Sequence, residues 1–302
     1  MPNLRDIRTR ISSIDNTQQI TKAMKMVAAA KLRKAQNRML ENRPYSRMLK
    51  QVLARVAEAM RDEFDEDFVV PLFRQPEAVK KAVIIVVGSD RGLCGGFNTN
   101  LFKVVEKRIQ EEFGDLHDSG NLELVCIGRK ACQYFPKRGY NVVEEVPGFF
   151  DRLDFVESAS IMKKQADRFT SGELDAVHVA YNEFKSVISQ NRVVDCVLPI
   201  QPDAFEGDEQ EEQATREFII EPSAEVLFDR LLPKYLNIQL WRAVLESNAS
   251  EQGARMAAMD NATENAKELQ RTLKLKYNQA RQSAITTEIS EIVSGASALG
   301  NA

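Results

Sequence analysis

The sequence predicts an α/β protein with two long helices. N- and C-terminal arms pair as an antiparallel two-helix coiled coil, and a central open α/β, Rossmann-like domain lies between them. Three observations predict this. Glycine is segregated, with none before Gly88 and only Gly253, Gly295 and Gly300 after Pro233. Apolar residues recur three and four apart at both ends, the spacing of one helix face. The middle instead alternates short apolar runs with helical stretches, the pattern of an open sheet covered by helices.

The N-terminal arm, residues 1–62, carries Leu4, Ile7, Ile11, Ile14, Ile20, Met24, Val27, Leu32, Ala35 and Met39, then Leu49, Val52, Leu53 and Val56. Pro44 interrupts this stripe and predicts a kink, since proline removes a helix hydrogen bond and crowds the preceding turn. In the middle, residues 78–205, Ala82–Val87 reads as a buried strand, followed by the turn GSDRGLCGG and a helix near Asn98–Phe113. Leu122–Ile127 is a second strand, Arg129–Phe135 a short helix, Tyr140–Glu144 a third strand and Phe155–Phe169 a helix. Ala176–Phe184 and Arg192–Ile200 form an antiparallel hairpin at the sheet edge. Residues 206–220 contain the run EGDEQEE, a solvated acidic linker loop. The C-terminal arm, 221–302, repeats the helical spacing through Ala262, Ala266, Leu269, Leu273, Tyr277, Ala280, Ile285, Ile289, Ile292, Ala296 and Leu299, with a break expected at Pro233. The spacing slips in places, which predicts a loosely wound pair.

Magnitudes favour pairing of the arms. A helix of about 60 residues is roughly 90 Å long. A middle domain of about 120 residues has a radius of gyration near 14 Å, so each arm projects beyond it. An apolar stripe of that length needs a cover, and the other arm, returning antiparallel, is at hand.

Composition excludes several functions. Among 302 residues, 43% are hydrophobic and 28% charged, which fits neither a disordered chain nor a membrane-embedded one. The longest apolar run, Ala82–Val87, is far short of a membrane span, and residues 1–25 show no signal-peptide core. Cys94, Cys126, Cys132 and Cys196 form no CxxC pair, and His117 and His178 are the two histidines. That removes the usual zinc sets and starves triad chemistry. The chain reads as cytosolic, reduced and soluble, with no cofactor and no metal.

Charge is uneven. Residues 1–60 carry 13 basic and 4 acidic side chains, whereas 61–220 carry 19 and 30. The basic cluster Lys22, Lys25, Lys31, Arg33, Lys34 and Arg38 admits three readings: a solvated helix face, a nucleic-acid contact, or a stripe meeting an acidic protein surface. Interleaved aromatics are missing, since Tyr45 is the first aromatic residue, which weighs against nucleic acid. The loop Gly88–Gly96 follows a strand but is neither a P-loop nor a GxGxxG fingerprint, so a structural turn or contact surface is favoured over a phosphate cradle. Residues 292–302, IVSGASALGNA, carry no charge. They are either a frayed terminus or a tip held in an apolar sleeve, where charges would be costly to desolvate.

Three separated segments stand out as motifs: IRTRISSIDNTQQITKAMKMVAAAKLRKAQ near the N-terminus, SDRGLCGGFN in the middle, and residues 285–298, ITTEISEIVSGASA. The last fills every specified position of the pattern [IV]-T-x-E-x-x-[DE]-x-x-x-G-A-x-small. Together, and in this order, they resemble one family, the gamma subunit of the F-type ATP synthase. The resemblance implies a non-catalytic central-stalk rotor shaft, coupling proton-driven rotation of the membrane c ring to conformational change in catalytic beta subunits. It implies alpha, beta, epsilon and c-ring partners, no nucleic acid and no membrane insertion. The place implied is the cytoplasmic face of the bacterial inner membrane. By the same resemblance Lys22, Met24 and Lys25, with Arg281, Gln282, Thr286 and Glu288, face beta subunits. Ile292, Val293, Ala296 and Leu299 form a bearing tip, and Asp90, Arg91 and Cys94 a rotor-surface loop. A scaffold coiled coil with a nucleotide-binding α/β domain is the alternative.

Overall fold

The computed structural model describes residues 4–63, 70–187, 189–201, 205, 221 and 223–300. The acidic linker 206–220 and the Leu299 side chain lie outside the described residues. In chain order the elements are α1 (Leu4–Glu63), β1 (Ala82–Val87), α2 (Phe97–Glu112), α3 (Gly114–Asp118), β2 (Leu122–Ile127) and α4 (Arg129–Tyr134). There follow β3 (Val142–Val146), α5 (Phe149–Arg152), α6 (Phe155–Thr170), β4 (Ala176–Phe184), β5 (Gln190–Leu198) and α7 (Ala224–Gly300). Short 3-10 turns occupy Pro71–Phe73 and Pro136–Arg138. The third strand begins two residues later than its apolar run suggests, and the fifth is shifted two residues earlier. Two compact units form: residues 29–254, and residues 1–28 with 255–302.

The larger unit is built on a five-stranded sheet of order β3-β2-β1-β4-β5. The first four strands run parallel, and β5 returns antiparallel to β4 as the hairpin expected from sequence. Its central strand AVIIVV is buried on both faces, which is why it reads as an unbroken apolar run rather than an alternation. Ile84 and Val86 face α2 and α4, packing with Leu101, Phe102 and Phe135. Val83, Ile85 and Val87 face the other way, into a core shared with Met162 and Phe169 of α6, Leu53 of α1 and Leu236 of α7. Both long helices are therefore part of the sheet's cover.

The smaller unit pairs the outer segments of α1 and α7, and four direct contacts fix their register. Arg8 Nη2 donates to Tyr277 Oη at 2.6 Å, and Gln270 Nε2 to Asp15 Oδ1 at 2.8 Å. Thr21 and Thr263 share a hydroxyl hydrogen bond of 2.7 Å, and Lys25 Nζ reaches Asp260 Oδ1 at 2.6 Å. Numbers rise along α1 as they fall along α7, step for step, so the pairing is antiparallel.

Burial along α1 follows a regular alternation of steps of four and three: Ile7, Ile11, Ile14, Gln18, Thr21, Lys25 and Ala28 in the smaller unit, and Leu32, Ala35, Met39, Asn42, Ser46, Leu49, Leu53 and Val56 in the larger. This is a heptad seam, stricter than the loose winding expected. The expected stripe errs at Ile20 and Val27, which are 60% and 56% exposed, and at Leu269 on α7, 45% exposed. At those points the seam carries Thr21, Lys25 and Gln270, polar residues that an apolar pattern passes over.

Neither proline ends its helix: α1 runs through Pro44 and α7 through Pro233. Each proline frees the carbonyl four residues earlier, on Leu40 and Asp229. Both of those residues are exposed, as are the prolines, so water can satisfy the carbonyls.

At the amino ends of the strands, Glu123 of β2 is nearly buried between two cations. Its carboxylate meets Lys81 Nζ at 2.9 Å and Arg168 Nη2 at 2.7 Å. Hydrogen bonding from Glu173, countered by burial, and then from Glu123 holds the Arg168 guanidinium above its ordinary range; Glu123 does the same for the Lys81 ammonium. Glu123→Gln leaves both cations without this partner. Arg168 is 21% exposed and Lys81 30%, so water recovers part of the loss. Thermal or urea unfolding is expected to register a destabilisation of about 2 kcal/mol, below the range for a fully buried pair.

Candidate functional site: a braced loop and an exposed helix end

In an open parallel sheet, ligands bind beyond the carboxyl ends of strands where neighbouring connections diverge. Here that point is β1, flanked by β2 and β4, and the loop that follows is Gly88–Gly96. The loop is closed by its own groups. Ser89 N–H donates to Asn98 Oδ1 at 2.9 Å, Asn98 Nδ2 to Ser89 Oγ at 2.8 Å, and Phe97 N–H to the Cys94 carbonyl at 3.3 Å. Asp90 reaches further. Its carboxylate accepts the backbone N–H groups of Arg129 at 2.9 Å, Gly148 at 2.7 Å and Phe150 at 2.8 Å. One side chain thus ties together the carboxyl ends of β1, β2 and β3.

Gly128 completes the brace. Its φ is +91°, and a Cβ there would stand 2.6 Å from the Gly88 carbonyl oxygen, so only glycine fits. Of the three residues expected on the surface there, Arg91 presents its side chain outward, 69% exposed beside Asp151, as does the intervening Leu93 at 65%. Asp90 and Cys94 are 7% and 3% exposed and belong to the interior, which corrects their placement as surface residues. A groove of about 320 Å³ runs beside the loop, with Lys130, Tyr134 and Arg138 on its wall.

Acid–base or thiol chemistry has little support. Burial, with the charge of Arg108 second, lowers the His178 pKa to about 4, so the imidazole is neutral in the core. Burial pushes the Cys132 thiol up to about 11 and Cys126 higher still. No cluster of His, Cys, Asp and Glu suited to a metal ion occurs among the described residues. Nor is any described helix long and apolar enough to cross a membrane.

The second feature is the end of α7. Continued from its four contacts, the register sets Leu4 opposite Arg281, and none of the described residues of α1 lies opposite Gln282–Gly300. Every side chain described from Arg281 to Ala296 is exposed, including Ile285 at 48%, Ile289 at 55%, Ile292 at 65% and Val293 at 58%. These apolar residues are also out of phase with the seam. Leu273, Tyr277 and Ala280 would continue to Ala284 and Thr287, yet the stripe resumes at Ile285, Ile289 and Ile292. A slip of one residue rotates the stripe by about 100° around the helix. It is therefore aimed away from the α1 seam.

Other expected contact residues are placed as follows. Arg281, Gln282, Thr286 and Glu288 are exposed on the same segment, with the Thr286 hydroxyl donating to the Gln282 carbonyl at 2.9 Å. Lys22 is exposed and Met24 half-buried. Lys25 is held by Asp260 in the seam, a commitment that sequence could not reveal. Ile20 and Val27, two turns apart on one flank of the seam, lie exposed on this stretch of α1.

The described residues thus combine an exposed apolar helix end with a sheet crevice braced from within. The family model described as ATP synthase matches residues 3–299. The ATP synthase gamma chains of Chlorobaculum parvum and Chlorobaculum tepidum are each 50% identical over 299 residues, covering 99% of this chain and 99% of theirs. That of Chloroherpeton thalassium is 48% identical over 307 residues. The chain belongs to the ATP synthase gamma chain family. Among solved structures, a chain of the Euglena gracilis mitochondrial ATP synthase rotor shares the fold at a TM-score of 0.64 and 19% identity, covering 93% of this chain and 98% of that one. A chain from the Tetrahymena thermophila mitochondrial ATP synthase central stalk and c ring does so at 0.58 and 24%, covering 80% and 99%.

Asp90→Ala strands three backbone N–H groups in the sheet's interior. Thermal unfolding is expected to show a loss of about 3 kcal/mol, far above that of Arg91→Ala, whose ion pair with Asp151 is exposed.

Proposed function

We propose that this chain is the rotating central shaft of its ATP synthase, a non-catalytic subunit that couples turning of a membrane c ring to the nucleotide affinity of beta subunits. The observation that carries this reading is the end of α7: exposed, apolar, uncharged beyond Glu291, and out of phase with its own coiled-coil partner. Such a surface is costly in water and suits an apolar sleeve made by other subunits. An uncharged tip also turns freely, because no strong ion pair binds it to one position. Ile292, Val293, Ala296 and Leu299 are the bearing contacts in this reading. Arg281, Gln282, Thr286 and Glu288, lower on the same helix, supply polar contacts to beta subunits.

The shaft needs no catalytic residue. An asymmetric helical pair inside a near-threefold ring of alpha and beta subunits touches each beta subunit differently. If those contacts differ in free energy between open and closed beta conformations, shaft angle sets nucleotide affinity, and nucleotide state sets shaft angle in return. Lys22 and Met24 are the force-bearing contacts on α1 toward an acidic beta surface. Lys25 contributes by fixing α1 against α7 through Asp260. The α/β unit meets epsilon and the c ring, which places the chain peripherally on the cytoplasmic face of the bacterial inner membrane. The rival reading, a scaffold with a nucleotide-binding domain, is disfavoured by the glycine spacing of the loop after β1, which fits neither phosphate-binding pattern, and by the Ser89 and Phe97 N–H groups, which the loop and its helix take up themselves.

Two measurements test this. Replacing Ile285, Ile289, Ile292 and Val293 together by Ser is expected to leave unfolding of the free chain within about 0.5 kcal/mol of wild type, because these side chains are exposed there. In a complex reconstituted with alpha and beta subunits, the same variant should lose turnover or assembly; wild-type turnover would remove the tip from the mechanism. Separately, Lys22→Glu with Lys31→Glu, leaving the Lys25–Asp260 pair intact, is expected to weaken coupling of ATP hydrolysis to proton pumping. Unchanged coupling would take the basic stripe out of force transmission.

A further inference from the structure

A shaft transmits torque only if it cannot turn within the body that drives it. Over Leu236–Gly253, α7 is enclosed on nearly every side. Leu236, Leu240, Val244, Ala249 and Ser250 are each at most 1% exposed, although they point in different directions around the helix. Close packing of these side chains resists both withdrawal and rotation of the helix, and polar contacts, each of which demands one orientation, add to that hold.

Among the contacts described between this segment and the sheet, three bear on its orientation. Ser247 is fully buried, and its Oγ donates to the Val87 carbonyl at the carboxyl end of β1, 3.3 Å away. Arg242 Nη2 donates to Tyr181 Oη of β4 at 3.4 Å, and that hydroxyl donates to Asp195 Oδ2 of β5 at 3.2 Å. The other contact of Arg242, to Glu246 at 3.9 Å, stays on its own helix and gives no hold on the sheet. At Gly253 the turn after β4 presses on the helix backbone: a Cβ would lie 3.3 Å from the Val187 carbonyl oxygen and 3.6 Å from the Phe184 ring. A glycine inside a helix is unfavourable, and here the close approach explains it. Arg242 and Gly253 fall on nearly the same face, about 16 Å apart along the axis, while Ser247 lies roughly 140° around from Arg242. Rotation of the helix in either sense would displace all three, because each holds one side of the helix to a fixed point on the sheet or the turn after β4.

We propose that Ser247, Arg242 and Gly253 key α7 to the sheet against rotation about its own axis, acting as positioning residues through which the α/β unit passes torque to α7. The inference rests on the rotor reading above. Its mark is load dependence: a shaft with weakened keys turns normally against little resistance and slips against much.

The test uses the full complex reconstituted in sealed vesicles, with this chain as wild type, Ser247→Ala, Ser247→Thr, Arg242→Leu, or Ser247→Ala with Arg242→Leu. ATP-driven pumping is followed from its initial rate to its limiting pH difference, beside thermal unfolding of each chain. The double variant should pump at the wild-type initial rate but reach a limiting proton ratio lower by about two-fold, as expected for loss of two modest polar contacts. Ser247→Thr, which keeps the hydroxyl, should reach the wild-type limit. A wild-type limit in the double variant overturns the proposal. So does a lowered limit that tracks a lowered unfolding temperature and is shared by Ser247→Thr. If the double variant fails to assemble, Ser247→Ala against Ser247→Thr decides, equal limits overturning the keys. A wild-type complex that hydrolyses ATP without pumping overturns the rotor reading instead.

Discussion

The antiparallel register of α1 against α7 is the constraint on which the remaining features depend. Apolar burial alone would tolerate a slide of one heptad along a two-helix seam. The pairs Arg8–Tyr277, Asp15–Gln270, Thr21–Thr263 and Lys25–Asp260 do not, because each demands its own partner at hydrogen-bonding distance. Polar groups in a coiled-coil seam lower stability while specifying alignment. Here that alignment decides where α1 stops relative to α7, and therefore which residues of α7 are left without a partner on the described part of α1.

The same chain solves opposite problems at its two functional features. At the end of α7 it leaves apolar side chains uncovered and turns them off the seam, so the surface is available to another protein. After β1 it does the reverse. A turn whose glycines and position resemble a ligand loop is stitched shut by Asp90, Asn98 and the Cys94 carbonyl. A sheet of this topology commonly offers a site at that place, and here the fold spends the position on rigidity. For a body that carries torque, stiff connections among β1, β2 and β3 have an evident use.

Much of this was legible in the sequence because it depends on repeating patterns. Glycine segregation marked the helices, and AVIIVV marked a strand buried on both faces. Other features depend on partners distant in the chain. The apolar stripe went astray at Ile20, Val27 and Leu269 because the true seam uses Thr21, Lys25 and Gln270, whose partners lie 242, 235 and 255 residues away. Asp90 looked like a surface residue because a carboxylate in a glycine-rich loop has no local sign of burial. Its three N–H donors come from segments 39 to 60 residues downstream, and only the folded sheet assembles them. Pro233, where a break was expected, misled for the opposite reason, since a proline's cost depends on whether the freed carbonyl meets water, which spacing does not report.

Backbone hydrogen exchange over Ile285–Ala296 most directly tests whether the end of α7 is a surface completed by other chains. It would be measured on the free chain and again on the chain assembled with alpha and beta subunits. Rapid exchange when free and strong protection on assembly, with Thr263–Ala280 protected in both, is the expected result. Equal protection of Ile285–Ala296 in the free chain would mean that this segment is already covered from within, and a shaft gripped at its tip could not be sustained.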